Sequence, residues 1–200
     1  MNKAIIASLE RGEIGVIPTD TMYGLVGSAL NKKTVERIYK VRKRDLKKPL
    51  IILIDSIERL KDFAITDLSD SRNPLYRILK KIWPDKITVI LPCDSKKFEY
   101  LHRGRKKLAF RLPAKNELAN IIKKTGPLVV PSANISGRPP STTIKEAQKY
   151  FGRNVDFYVD GGEMKAVPST IIEIDKKGSC TLIREGAVKA SSKKLKALLQ

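Results

Sequence analysis

Hydrophobic positions along this chain come in short runs whose spacing switches repeatedly between a strand period and a helix period. Residues 2–11 read as a helix closed by Gly12. "EIGVIP" (13–18) and "YGLVGSAL" (23–30) read as strands. Val35, Ile38 and Val41 then fall near one face of a helix that Asn31 caps. "PLIILI" (49–54) is a buried strand, and Ser56 starts a short helix. Asn73 before Pro74 pairs a cap with a first-turn proline and predicts a helix to Ile82. "KITVIL" (86–91) and "KLAFRL" (107–112) are strands; a helix over 116–124 ends at Gly126 and leads into the strand "PLVV" (127–130). Thr143 and Glu146 have capping-box spacing, opening a helix to Tyr150 that Gly152 terminates. "VDFYV" (155–159), "STIIEI" (169–174) and "TLIR" (181–184) are strands, and Ser191 or Ser192 begins a last helix. The alternation predicts one α/β domain over residues 1–200, a twisted mixed sheet flanked by helices.

Composition changes this picture in one respect. Forty Lys and Arg stand against twenty-one acids, a surplus of +19. Such a field attracts polyanions, so RNA, DNA and nucleotides are candidate partners; a merely solvated, lysine-rich surface gives the same count. Cys93 and Cys180 have no metal spacing and suit a reducing compartment as free thiols. No run has the length of a membrane span and the N-terminus has no signal-peptide apolar region, so a soluble cytoplasmic protein without membrane contact is expected.

Nucleotide signatures of the G-x-x-x-x-G-K-[ST] and G-x-G-x-x-G type are absent. His102 is the single histidine, and it lies in "YLHRGRKKL", a basic, loop-like segment where a surface role is expected. Zinc clusters are absent, and no metal-ligating residues are predicted. What remains is a set of polar stretches at strand ends. "PTDTMYGL" (18–25) offers Thr19, Asp20, Thr21 and Tyr23, either as a plain turn or as a ligand loop. "RKRDLKKPL" (42–50) is either a solvated charge run or a cradle for phosphate and carboxylate oxygens. Arg111 interrupts an apolar strand, facing solvent by alternation or held for an anion. "PSANISGRPPSTT" (131–143) follows a buried strand with hydroxyls, an amide, Gly137 and stiff prolines, more than a surface turn needs. Ser169 and Thr170 precede one strand, and Arg184 ends another. Together these form a constellation for a multi-anionic ligand in a groove.

In order along most of the chain, these stretches resemble the YrdC-type threonylcarbamoyl-adenylate synthase family, short form. "PTDTMYGL" is similar to its P-T-[DE]-T-x-Y-G-L, "RKRDLKKPL" to K-x-R-P-x-x-[KN]-P-L, and "WPDKITVIL" to W-P-G-P-x-T-x-[VI]-[LF]. "LAFRLP" resembles [LIV]-A-[VL]-R-[VIL]-P, "PSANISG" the S-A-N-x-S-G signature, and "PSTIIEI" and "LIREGAV" the closing motifs.

The resemblance implies a YrdC/RibB-like fold with an open basic cavity. It implies a nucleotidyltransferase that joins L-threonine, bicarbonate and ATP into threonylcarbamoyl-AMP, releasing pyrophosphate, with Mg²⁺ carried on the triphosphate. A downstream threonylcarbamoyl transferase then modifies tRNA. By resemblance Thr21 contacts threonine, Arg111 takes its carboxylate, and Arg42 and Arg44 hold carbamate and phosphates. Lys48, Ser141, Thr142 and Arg184 serve the nucleotide, Ser132 and Asn134 orient threonine and the α-phosphate, and Ser169 and Thr170 close over threonine. Three departures stand out: Arg42 where the family has lysine, Asp45 for proline, and Asp85-Lys86 for Gly-Pro. The alternatives are an RNA-binding or ribosome-maturation factor of the same fold, and a related carbamoyl or acyl adenylate-forming enzyme.

Overall fold

A computed structural model describes residues 2–65 and 72–199. The helices are α1 (Asn2–Glu10), α2 (Lys32–Arg42), α3 (Pro74–Ile82), α4 (Glu99–His102), α5 (Asn116–Thr125), α6 (Ile144–Phe151) and α7 (Lys193–Lys196). The strands are β1 (Gly15–Pro18), β2 (Tyr23–Ser28), β3 (Ile51–Leu53), β4 (Ile87–Pro92), β5 (Lys107–Arg111), β6 (Leu128–Val129), β7 (Phe157–Tyr158), β8 (Thr170–Ile174) and β9 (Cys180–Arg184). Among the described residues they form one mixed sheet in the order β7-β1-β2-β6-β3-β5-β4-β8-β9. The pairs β1–β7, β3–β5 and β4–β8 are parallel.

The caps read from sequence are in place. Asn31 Oδ1 accepts the Thr34 N–H at 3.2 Å, and Asn73 Oδ1 accepts the Leu75 N–H at 2.9 Å. Thr143 Oγ1 accepts the Glu146 N–H at 3.3 Å, but Glu146 reaches one residue further back than a capping box requires, to the Thr142 N–H at 2.7 Å. The strand expected through Leu30 stops at Ser28, because the chain turns there to reach Asn31.

Both faces of the sheet are covered. Leu25, Ile52, Phe110 and Val129 belong to one buried cluster; Val26, Leu53, Leu128 and Val130 alternate to the other, beneath α1 and α5. This alternation decides where Arg111 goes. It does lie across the strand from Phe110, yet with the far face covered it is 4 % exposed and does not reach solvent.

One segment departs from the sequence reading. "YLHRGRKKL" is not simply a loop: its first residues lie in α4, and His102 is buried. The ring Nε2 lies 3.2 Å from the Ser95 carbonyl, and Nδ1 accepts the Gly104 N–H at 3.2 Å. The basic residues around it suggest a surface, but Leu101 and Leu108 anchor the segment to the core and carry His102 inward. Two of the departures from the family pattern also have local partners. Asp45 Oδ1 accepts the Lys47 N–H at 2.9 Å, closing a turn without proline. Asp85 pairs with Lys194 and so ties its loop to α7.

Candidate active site

The strand ends and their loops enclose a cavity of about 450 Å³. Its wall brings together Thr21, Arg42, Arg44, Arg111, Ser132, Ser169 and Arg184, residues drawn from six separate stretches of sequence. Met22, Leu50, Ile51 and Val130 supply apolar lining, and among the described residues no carboxylate-bearing one is part of the wall.

Arg42 is the last residue of α2 and is 2 % exposed. Its Nε donates to the Asn134 carbonyl at 3.0 Å, and Nη2 donates to Asn134 Oδ1 at 2.9 Å and Ser132 Oγ at 3.2 Å. The Arg42 carbonyl accepts the Ser136 N–H at 2.8 Å, so both backbone and side chain bind the loop after β6. Buried Nη1 has no partner. Burial, reinforced by Arg44, pushes the pKa of this guanidinium down to about 10. A lysine, with a point charge and three donors, would not span Asn134 and Ser132 in this planar way.

Arg44 donates to the Lys48 and Pro49 carbonyls, each at 3.0 Å, and burial lowers its pKa as well. Arg184, at the end of β9, donates to the Ser169 carbonyl at 2.8 Å. Among the described residues none of these three arginines has a carboxylate within ion-pair distance. Arg111 differs: Nη2 meets Asp20 Oδ1 at 2.9 Å, and Nη1 donates to Thr21 Oγ1 at 3.3 Å. Burial lowers the Arg111 pKa and Asp20 opposes that shift.

Other predicted site residues lie behind the wall. Asn134 is buried; its Nδ2 donates to the Ile135 and Arg138 carbonyls at 3.0 and 2.6 Å. Ser141 Oγ donates to the Ala133 carbonyl at 2.6 Å. Thr142 engages Glu146, and its carbonyl accepts the Met164 N–H at 2.8 Å. Thr170 Oγ1 donates to the Val188 carbonyl and accepts the Gly186 and Val188 N–H groups. Lys48 is exposed, and its carbonyl accepts from Tyr39 and Arg44. In this arrangement these residues shape the loops that carry the wall. Gly137 adopts φ 84°, the left-handed turn that the 131–143 loop needs.

Two residues that the sequence offers in the 18–25 loop, without a particular role, also contribute. Asp20 pairs with an arginine 91 positions away, which leaves no local pattern. Tyr23, fully buried, donates its hydroxyl proton to the Gly162 carbonyl at 2.7 Å and accepts the Gly161 N–H at 2.8 Å. It fixes the start of the strap that runs on to Ala166, Pro168 and Ser169 in the wall. Gly24 sits where a Cβ would meet Val130 Cγ1 at 2.5 Å, so that strand can pack this closely only with glycine.

Known proteins share this arrangement of strands. The threonylcarbamoyl-AMP synthase of Pyrococcus abyssi is 32 % identical over 168 residues, covering 83 % of this chain and 48 % of the relative. That of Bacillus subtilis is 31 % identical over 169 residues, with 83 % and 48 % covered. That of Pseudoalteromonas translucida is 30 % identical over 174 residues, covering 84 % of this chain and 90 % of the relative. The chain thus spans about half the length of the first two relatives. The crystal structure of P. abyssi Sua5 complexed with L-threonine superposes with a TM-score of 0.83 at 30 % identity, covering 94 % of this chain and 54 % of that one. Escherichia coli YciO, at 23 % identity, shares the fold with a TM-score of 0.80, over 95 % and 90 % of the two chains. The family model for Sua5, YciO and YrdC, described as "Telomere recombination", matches residues 7–186. With its motifs in order and its sheet superposing on theirs, the chain belongs to the Sua5/YciO/YrdC family.

Proposed function

We propose that this chain is a nucleotidyltransferase, an L-threonylcarbamoyladenylate synthase. It forms threonylcarbamoyl-AMP and pyrophosphate from L-threonine, bicarbonate and ATP, for threonylcarbamoyladenosine modification of tRNA. The observation that carries this reading is the buried Arg42, which among the described residues has no carboxylate partner and lies with Arg44 and Arg184 in the cavity wall. A buried cation without a counter-charge is costly, and an anionic ligand relieves that cost. The names of the relatives support the particular anions.

The chemistry asks little proton transfer of the protein. Threonine's ammonium gives one proton to water, and its free amine adds to CO₂ released from bicarbonate. The second N–H proton joins the hydroxide left by bicarbonate as water, leaving a carbamate that is already anionic. Its oxygen attacks the α-phosphorus of ATP, the bond to the bridging oxygen breaks, and pyrophosphate leaves with that electron pair. Catalysis then rests on placing two anions together and neutralising charge as it develops. Ser132 Oγ accepts from Arg42, which leaves the Ser132 O–H free to donate to a phosphate or carbamate oxygen. Arg44 and Arg184 offset charge on the departing pyrophosphate. Arg111, with its Nη1 edge beside the Thr21 hydroxyl, receives the threonine carboxylate.

Among the described residues no group of three or more His, Cys, Asp or Glu side chains is placed to hold a metal ion. Mg²⁺ would then arrive on the triphosphate rather than in a protein cage, and would supply charge neutralisation there beside Arg44 and Arg184. No described helix is long and apolar enough to cross a membrane. The reading places the protein in the cytoplasm with ATP and tRNA, upstream of a threonylcarbamoyl transferase.

The test is pyrophosphate release from ATP and bicarbonate with and without L-threonine, with the mass of the product. Threonine-dependent release and the threonylcarbamoyl-AMP mass are expected; release indifferent to threonine would point to another acyl adenylate. RNA contact is a second reading, favoured by an outer groove lined by Lys40, Lys43 and Arg153 beside an Arg37 that is paired with Asp156. It calls for RNA affinity that falls steeply with salt.

A further inference from the structure

The four arginines of the cavity are not electrically equivalent. Among the described residues no carboxylate pairs with Arg42, Arg44 or Arg184, though Asp45 lies near Arg44, and no acid lines the cavity beside them. Arg111 stands on β5, between β3 and β4 in the sheet, and Asp20 meets it at 2.9 Å. The Asp20 side chain is 5 % exposed and takes no part in the cavity wall, so it lies behind the guanidinium. Among the described residues Asp20 Oδ2 is buried without a hydrogen-bond partner, as is Arg111 Nε. The contact is therefore not the two-point fork of a fully matched arginine–carboxylate pair. Asp20 cancels the charge of Arg111 and leaves the Nη1 edge for a ligand.

We infer that Asp20 is a specificity-determining residue, which makes the Arg111 position electrically neutral so that it accepts an amino acid and refuses a polyphosphate. Before its amine is carboxylated, an amino acid carries no net charge and brings a single carboxylate to the Nη1 edge beside Thr21. A pyrophosphate or triphosphate group brings several negative charges toward the buried Asp20 carboxylate, and their repulsion opposes the attraction of Arg111. The same polyphosphate beside Arg42, Arg44 and Arg184 meets no such opposition. Two substrates of different net charge are thus sorted within one cavity, and Asp20 does it without touching either. The inference rests on the proposed reading for the identity of the amino acid, but not for the effect on anions.

The experiment is calorimetric binding of inorganic pyrophosphate, without turnover, to the full chain and three variants. Asp20→Asn gives the Arg111 position a net charge of +1, so pyrophosphate binds about tenfold tighter, the order expected of one partly screened unit charge. It also begins to displace L-threonine. Arg111→Gln leaves Asp20 alone and weakens pyrophosphate binding by a similar factor. The double variant, neutral again, returns to wild-type affinity. Urea unfolding checks that each variant is folded. If Asp20→Asn does not fold, Arg111→Gln against the double variant decides alone. Equal weakening in those two would overturn the inference, since Arg111 itself would then be the polyphosphate anchor. So would an unchanged affinity in a folded Asp20→Asn. Failure of threonine-dependent turnover would defeat the proposed reaction while leaving this order of affinities intact.

Discussion

Two buried arginines face the same cavity, and the fold treats them in opposite ways. Arg111 has its counter-charge built in, supplied by Asp20 from the β1–β2 loop. Arg42 has none; its acceptors are the Asn134 carbonyl, the Asn134 amide oxygen and the Ser132 hydroxyl. The first arrangement completes itself on folding. The second satisfies hydrogen bonds but leaves a positive charge for a ligand to answer. Burial thus has different meanings at the two positions: a charge cancelled in advance, with one edge left for a carboxylate, and a charge left open for a polyanion.

The largest expected effect breaks this contrast on the Arg111 side. Arg111→Ala leaves the Asp20 carboxylate buried and alone, which destabilises the fold by about 3–5 kcal/mol. Urea unfolding measures this loss, and adding Asp20→Asn recovers most of it. Adenylate formation stays lost in both. The corresponding change at the other arginine falls on the ligand instead. Arg42→Ala weakens ATP binding by about thirtyfold, or ~2 kcal/mol, and lowers stability by only about 1 kcal/mol, because water in the cavity takes up the freed acceptors. A titration of ATP against thermal unfolding checks both numbers. Equal stability losses in the two alanine variants would erase the distinction. Ser132→Ala removes one neutral donor and reduces ATP affinity by about tenfold, leaving the Arg42–Asn134 contacts in place. The smallest effect sharpens the comparison from outside the cavity. Thr143→Ala removes the cap of α6 and costs about 1 kcal/mol in unfolding, with ATP affinity unchanged.

Much of this was legible in the chain because its signals are local. Asn31, Asn73 and Thr143 cap the helices they precede, and the strand periods of "KITVIL" and "KLAFRL" survive folding. The cavity arginines stand out as cations inside or beside apolar runs. Other features have no local signal. Asn134, Ser141 and Thr170 belong to polar stretches, yet a small polar side chain serves a ligand and a loop carbonyl equally well, and only the folded loop decides. Here they turn toward the backbone of their own loops and neighbouring segments. Asp20 acquires its role from a contact across 91 residues. His102 sits among basic neighbours, and its burial follows from the packing of Leu101 and Leu108, not from its own surroundings in sequence.

The order of strands has a consequence for synthesis. β1 waits for β7, and β4 waits for β8, each pair parallel and far apart in the chain. Arg184, on the last strand, leaves the ribosome after nearly every other residue that lines the cavity. A nascent chain therefore passes through a long stage in which Arg42, Arg44 and Arg111 are made but the ligand chamber is open on the β9 side. Contacts between such distant segments form slowly, and partly paired strands are prone to stick to one another. Until β9 is made, those guanidinium groups lack the wall that Arg184 completes.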